Sequence, residues 1–471
     1  MGGVRASGPR YRCSCEQPSA QSADPATQCE WSDLGSPHHY RCAIDGFVEN
    51  SKDTNGPELP GVQLIASVRP VSAPQPSTPA PPPFAVGALC AAGTLPIVGQ
   101  LYIALPLNIQ LDSLTGAGQG TAALATTVFS LAYALGIVLI GPLTDRLGAH
   151  RTMVMSAGVT AAVTLATAFA SSMSIFLAAR ALQGLAAAAF TPATLAYISR
   201  TSSPKNVPAL NAAAIGAGMG AAVVAQVAAQ VLVQAGGIRT VFLAGGGAIA
   251  VAAAGIKFGL SPDSRAGKHT GIPLRQTYGA LGALVRRAPI AALLVTASTF
   301  LSSLVALYAG FQLSGDWDEQ GLLILRAITL PAVVVAGFLI TRITTVPIRP
   351  RLLWPLCSMC AAVAVCAAST SIVAVACAMV VFTGGLCIAA PTVVGEIVRW
   401  SEGNVGAATT LYTVAVFGGA SLGAPLAAAL GSGGSQAVAM ACLLILVMGS
   451  ASGFYSVRER AKTAGTKDTA T

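Results

Sequence analysis

From Phe84 onward the chain reads as long apolar stretches broken by short polar intervals. Twelve stretches are delimited, at 84–107, 120–143, 152–171, 174–198, 208–234, 239–260, 289–313, 320–341, 352–370, 372–395, 405–430 and 435–456. At about 1.5 Å of rise per residue, a helix of about 20 residues crosses a bilayer core of roughly 30 Å. Ala, Val, Leu and Gly occupy all sides of these stretches rather than a single stripe. Helices apolar all round are buried or face lipid, so the pattern predicts twelve membrane-spanning helices. The polar interval all but vanishes near Ser171 and Ser371, which predicts two tight hairpins.

Residues 1–83 depart from this pattern. They hold eight of the 18 acidic residues and end in a Pro-rich run from Pro70 to Pro83. Such a composition cannot bury a core and predicts a disordered tail. It lacks the basic segment and apolar run of a secretory signal. Cys13, Cys15, Cys29, His38, His39 and Cys42 are zinc-ligand types, but their spacing fits no closed site, and no metal is expected. A middle loop at 261–288 separates two sets of six stretches, at 84–260 and 289–457, and 458–471 forms a second polar tail.

Composition and charge sharpen this picture. The chain is 54% hydrophobic and 10% charged, against about 25% charged residues in soluble proteins. A net charge of +9 would raise nucleic acid as a partner for a soluble chain. Here the charge is sorted by loop, so no nucleic-acid partner is expected. Alternate loops carry Arg146 and Arg151; Arg200 and Lys205; Arg265, Lys268, Arg275, Arg286 and Arg287; Arg342, Arg349 and Arg351; and Arg399. The opposite loops carry Arg239 and the acidic cluster Asp316, Asp318 and Glu319. Lys and Arg concentrate on the cytoplasmic side. Both termini and the middle loop are therefore predicted to be cytoplasmic, in a plasma or inner cell membrane. Seven of the eleven Cys lie in apolar stretches, where Cys acts as a small hydrophobe, and no disulfide framework is predicted.

The two halves repeat. Gly141-Pro-Leu-Thr-Asp-Arg146 follows the second stretch, and Gly337-Phe-Leu-Ile-Thr-Arg342 follows the eighth. Gly184, Pro192 and Arg200 around the fourth are echoed by Gly385, Pro391 and Arg399 around the tenth. Repeated halves are a hallmark of secondary transporters, which bind near the bilayer midplane.

Gly141-Pro-Leu-Thr-Asp-Arg-Leu-Gly-Ala-His-Arg151 resembles the signature of the major facilitator superfamily between helices 2 and 3. Gly141, Asp145, Arg146, Gly148 and Arg151 match it, and His150 stands where a second strong base is usual. The resemblance implies an all-α membrane protein of the major facilitator fold, with twelve transmembrane helices in two six-helix bundles. It also implies that these five residues form a conformational latch, Asp145 meeting the positive N-terminal end of helix 11. Arg180-Ala-Leu-Gln-Gly184 resembles a second family motif, Arg-x-x-Gln-Gly. An intramembrane Arg marks a functional position, and the resemblance implies that Arg180 transfers protons or organises helix 1. Its alternative is snorkelling to the interface. Gln183 fits helix packing or the transport path equally.

Helix 1 carries Tyr102, Pro106, Asn108 and Asp112, and its Leu105-Pro106 step followed by Asp112 resembles the helix-1 motif of the twelve-span drug/proton antiporters. Asp112 is then either a protonatable acid at the outer mouth or a solvated loop acid. Helix 5 departs from that group, because Gly216-Ala-Gly-Met-Gly220 lacks the usual Gly-Pro pair. Gln226, Gln230 and Gln234 follow at i, i+4 and i+8 and share one face, suited to lining a cavity or bonding a neighbouring helix. Arg326 inside helix 8 is expected to pair with Asp316, Asp318 or Glu319, to snorkel, or to meet an anionic substrate. Glu396 and Arg399 suit an interfacial ion pair, and Tyr133, Tyr412 and Thr413 suit the pathway.

The chain carries no Walker loop, His-Glu-x-x-His or Gly-x-Ser-x-Gly, so neither an enzyme nor a cofactor is expected. The reading is a monomer in the lipid bilayer exporting a small amphiphilic or hydrophobic molecule in exchange for protons. Uptake or facilitated diffusion of a sugar, organic acid or amino acid is the transport alternative. A membrane sensor or scaffold is the alternative of another class.

Overall fold

The computed structural model describes residues 82–107, 110–111, 121–140, 147–262, 274–342, 346–402 and 404–468. Residues 1–81 of the predicted tail at 1–83, the two helix 1 positions Asn108 and Asp112, and Gly141 to Arg146 lie outside the described residues. The described residues form helices and no strand.

The helices are α1 (Pro83–Gly99), α2 (Thr121–Ile140), α3 (Ala149–Thr167), α4 (Met173–Ala187), α5 (Phe190–Thr201), α6 (Val207–Gly259) and α7 (Leu274–Val285). They continue as α8 (Ala288–Leu313), α9 (Glu319–Ala327), α10 (Leu330–Arg342), α11 (Ile348–Ala368), α12 (Ile372–Trp400), α13 (Val405–Leu430) and α14 (Gly434–Asp468). Eight continuous helical runs are long and apolar enough to cross a membrane. Two of the eight are double: α6 reverses at Gly236–Gly237, and α13 passes into α14 through Gly431–Gly433. With α1 and α3 these make the twelve predicted spans. Span 4 is α4 with α5, spans 5 and 6 are the two arms of α6, span 8 is α9 with α10, and α7 belongs to the middle segment.

Local chemistry sets the reversals. Gly237 has φ 74 and ψ −174, a conformation open essentially to glycine alone, so spans 5 and 6 join without a loop. At the first faint division, Ser172 caps α4 by accepting from the Ile175 amide at 3.3 Å, as Ser does at an N-cap. At the second, the Ser369 hydroxyl accepts from the Ser371 amide at 3.1 Å. Asp318 caps α9 through the Gly321 amide at 2.8 Å.

Packing repeats between the halves. Span 1 packs on span 5, and span 7 on span 11. Spans 2 and 4 pair, as do 8 and 10. Span 3 packs on 4 and 6, and span 9 on 10 and 12. The halves meet along two seams related by the same exchange, span 2 against 11 and span 5 against 8. Two refinements concern the ends. The middle loop contains α7, whose Tyr278 hydroxyl donates to the Val138 carbonyl at 3.3 Å. The last helix continues through residue 468 instead of ending at 456.

Close contact in a bilayer depends on small residues. A methyl at Gly419 would collide with the Ser298 carbonyl of span 7, whereas Gly418 faces open space. Gly419→Val is therefore expected to lower the melting temperature of the purified protein sharply, by an overpacking cost of at least about 1–3 kcal/mol. Gly418→Ala should leave melting unchanged or slightly raised. Equal melting of the two variants would contradict this packing.

Candidate functional site at the seams between the halves

Two buried guanidinium groups organise the interior. Arg180 of α4 is fully buried. Its Nη2 donates to the Gln100 carbonyl at 2.7 Å, Nη1 to Gln183 Oε1 at 3.0 Å and Nε to the Ala125 carbonyl at 3.3 Å. The guanidinium also lies 4.5 Å from the centroid of Phe129, within cation–π range. Gln183 Nε2 donates onward to Thr164 at 3.0 Å. Arg180 thereby joins spans 1, 2 and 4, and through Gln183 it reaches span 3. Gln100 lies where α1 gives way to a turn ahead of the short helix Leu105–Leu107 containing Pro106. A helix end leaves carbonyls without partners, and Arg180 takes one of them. It does not snorkel.

Arg326 of α9 is also fully buried. Its Nε donates to Gln226 Oε1 at 3.3 Å, Nη1 to Gln230 Oε1, and Nη2 to Gln312 Oε1. Gln226 and Gln230 belong to span 5 in the first half, and Gln312 to span 7 in the second. Gln312 Nε2 also donates to the Pro106 carbonyl of span 1 at 3.5 Å. The expected pairing of Arg326 with the acidic cluster is not found. Those acids have other partners: Asp316 accepts from Ser435 at 2.9 Å, Asp318 caps α9, and Glu319 accepts from Gln234 at 3.1 Å. The reason is geometric. Asp318 and Glu319 sit at the start of α9, two turns before Arg326, while the glutamine stripe of span 5 lies alongside. Of the two readings of that stripe, bonding a neighbouring helix is the one observed, since Gln230 and Gln234 both reach Glu319.

The other seam is aromatic. Tyr133 of span 2 stacks on Phe417 of span 11, with centroids 4.1 Å apart and an interplanar angle of 21°. Its hydroxyl lies 3.2 Å from Thr191 Oγ1. Tyr102, in the turn after α1, is buried within electrostatic range of Tyr133, Tyr412 and Cys387. Tyr133 and Phe417 therefore form an aromatic contact where spans 2 and 11 meet.

Of the predicted latch, Gly148 and Arg151 are described. Gly148 precedes α3 with φ 87, which accounts for glycine there. His150 is turned inward, its Nε2 3.3 Å from the Ile256 carbonyl of span 6. Glu396 is buried and pairs with the half-exposed Arg399 at 3.2 Å. Gly184 packs its Cα against the backbone of span 2 at Phe129 and Tyr133. Among the described residues no group of His, Cys, Asp and Glu is arranged to hold a metal.

Twelve spans in two matching sets of six, facing each other across two equivalent seams, define the architecture of a secondary transporter. The family model for the Major Facilitator Superfamily matches residues 84–399, and the chain belongs to that superfamily. Among solved structures, it resembles a bacterial homolog of the human lysosomal transporter Spinster in an inward-facing, unoccupied conformation. Identity there is 17%, coverage 80% of this chain and 96% of that one, and the TM-score 0.59. It also resembles a point mutant of the nucleoside transporter NupG, at 10% identity, with coverage of 80% and 99% and a TM-score of 0.60. Comparison with curated proteins gives no match.

Removing Arg180 would leave the Gln100 carbonyl, at the end of α1, and the Gln183 amide oxygen without their donor. Each such loss costs about 1–3 kcal/mol. Arg180→Ala is expected to melt well below the parent in detergent, and Arg180→Lys to recover only part of the loss, because one ammonium cannot reach three diverging acceptors. Full recovery by Lys would show that charge alone matters there.

Proposed function

We propose that this protein is a proton-coupled exporter of a small amphiphilic or hydrophobic molecule, working by alternating access between its two halves. The observation that carries the reading is the contrast between the two seams. The Tyr133–Phe417 stack places an aromatic, mostly apolar surface at the meeting of the halves. The Arg326–Gln226–Gln230 bonds fasten the halves nearer the end that bears Asp316 to Glu319. A substrate with an apolar body suits the first, and a set of polar bonds that can be exchanged suits the second as a gate.

Export rather than uptake is suggested by the resemblance of the Leu105-Pro106 step and Asp112 to the drug/proton antiporters, taken with the superfamily motifs at Gly141 to Arg151 and Arg180 to Gly184. Proton coupling would run through Asp112, Asp145 or Glu396, the last of which is buried. In this reading the end bearing Arg200, Arg287 and Arg399 faces the cytoplasm, and the Arg326 gate closes the opposite side.

Expression in an efflux-deficient host with a panel of amphiphilic compounds tests the proposal. Lower accumulation of at least one compound, restored by a protonophore and by Asp145→Asn, is the expected result. Accumulation raised by expression would establish uptake. No change for any compound, with normal membrane insertion, would favour a sensor. A fluorescent protein fused after residue 471 should fluoresce, and an alkaline phosphatase fusion there should be inactive; the reverse would invert the orientation.

A further inference from the structure

We propose that Arg326 is a receptor for an anionic group, a carboxylate or phosphate, on the transported molecule, exposed when the halves part at the acidic end. This deepens the transport reading and rests on it.

Arg326 is held only by neutral oxygens. Its three donor nitrogens meet three glutamine carboxamides, and among its described bonds none is to a carboxylate. The nearby acids Asp316, Asp318 and Glu319 are each engaged by Ser435, the Gly321 amide and Gln234. A charge inside a membrane protein is costly and is usually paired. Carboxamides satisfy the hydrogen bonds of a guanidinium but supply no opposing charge. A clamp needing only hydrogen bonds would work with a neutral donor, so the retained charge calls for a second role.

The ownership of the acceptors supplies that role. Gln226 and Gln230 lie in the first half, and Arg326 and Gln312 in the second. When this end opens, span 5 withdraws from span 8 and takes two of the three acceptors with it. The guanidinium then faces the opened cleft with its Nε and Nη1 donors free to bond the oxygens of a carboxylate or phosphate, each a charge-assisted hydrogen bond. The Tyr308 hydroxyl is buried beside Arg326, next to Thr329. It adds one donor to the same place. An anion supplies what the glutamines lack, so it binds the open arrangement and competes with resealing. A ligand shifts such an equilibrium only through its differential affinity for the two states.

The test uses the full chain in nanodiscs of zwitterionic lipid and a set of radiolabelled amphiphiles sharing one octyl chain. Their heads are carboxylate, phosphate, glucoside and trimethylammonium. Wild type should bind the carboxylate or the phosphate about tenfold or more tightly than the glucoside. Comparison of the two anions shows which one the guanidinium prefers. Arg326→Gln should bring the anionic and neutral heads to equal affinity while keeping glucoside binding, and Arg326→Lys should keep a reduced anionic preference. The pair Gln226→Leu and Gln230→Leu, which weakens closure and spares the charge, should tighten anion binding. That pair keeps the proposal testable even where Arg326→Gln does not fold. Neutral or cationic heads bound as tightly as anions by wild type would overturn the anion site and leave the transport reading standing. Anionic preference surviving in Arg326→Gln would do the same. Failure of every head group to bind would remove both.

Discussion

A polar group inside the hydrocarbon of a bilayer has no water to turn to, so its partners must come from the protein. Two buried arginines impose this constraint most severely here, and each is met by oxygens drawn from several spans. Arg180 collects the broken end of span 1, the backbone of span 2 and, through Gln183 and Thr164, span 3. Its requirement for acceptors makes the first half a unit, because no single neighbour could satisfy it. Arg326 applies the same chemistry differently, to acceptors in both halves. One guanidinium consolidates a bundle, and the other ties two bundles together. Only the second arrangement has to break if the bundles move.

The internal repeat gives this difference its meaning. Span 2 against 11 and span 5 against 8 are equivalent by the exchange of halves, yet the side chains on them have diverged. Stacked rings at Tyr133 and Phe417 make one seam adhesive without direction; aromatic pairs gain about 0.5–1.5 kcal/mol beyond burial and tolerate sliding. Directed hydrogen bonds make the other all-or-none. A molecule that rocks about a central site would use the tolerant seam as the pivot and the directional seam as the catch, which is the division of labour the two surfaces are chemically fitted for.

Much of the architecture was legible in the sequence because lipid imposes so coarse a rule. Twelve apolar stretches, their alternating charge and the Gly-to-Arg repeat were sufficient for the spans and the two halves. The faint divisions at Ser171 and Ser371 were also readable, since a serine that caps or bridges a turn needs no long polar loop. What the pattern did not reveal was partnership. The glutamine stripe at Gln226, Gln230 and Gln234 was visible as a face, but periodicity says nothing about which helix lies opposite. For Arg326 the sequence offered the acids near it, the interface or an anionic substrate, and not the glutamines, which are adjacent only in space. The helix α7 was hidden for a related reason: at 12 residues it is short enough to read as part of a polar loop.

Resemblance and geometry bear on different parts of the site. The helix 2–3 motif speaks for the family and for a latch at the basic end, where His150 departs from the usual base. In the structure that residue is turned inward to the end of span 6, not outward as a second cation. Among the described residues of that motif, Arg151 is an exposed strong base. Nothing in the motif anticipates the other end, where the fastening consists of one arginine and glutamine side chains from two spans. A catch made of neutral acceptors is weaker than one made of carboxylates, because breaking it strands no opposing charge in the membrane. Glutamine in place of glutamate at 226 and 230 keeps the guanidinium bonded when the halves meet and lets it go at lower cost when they part.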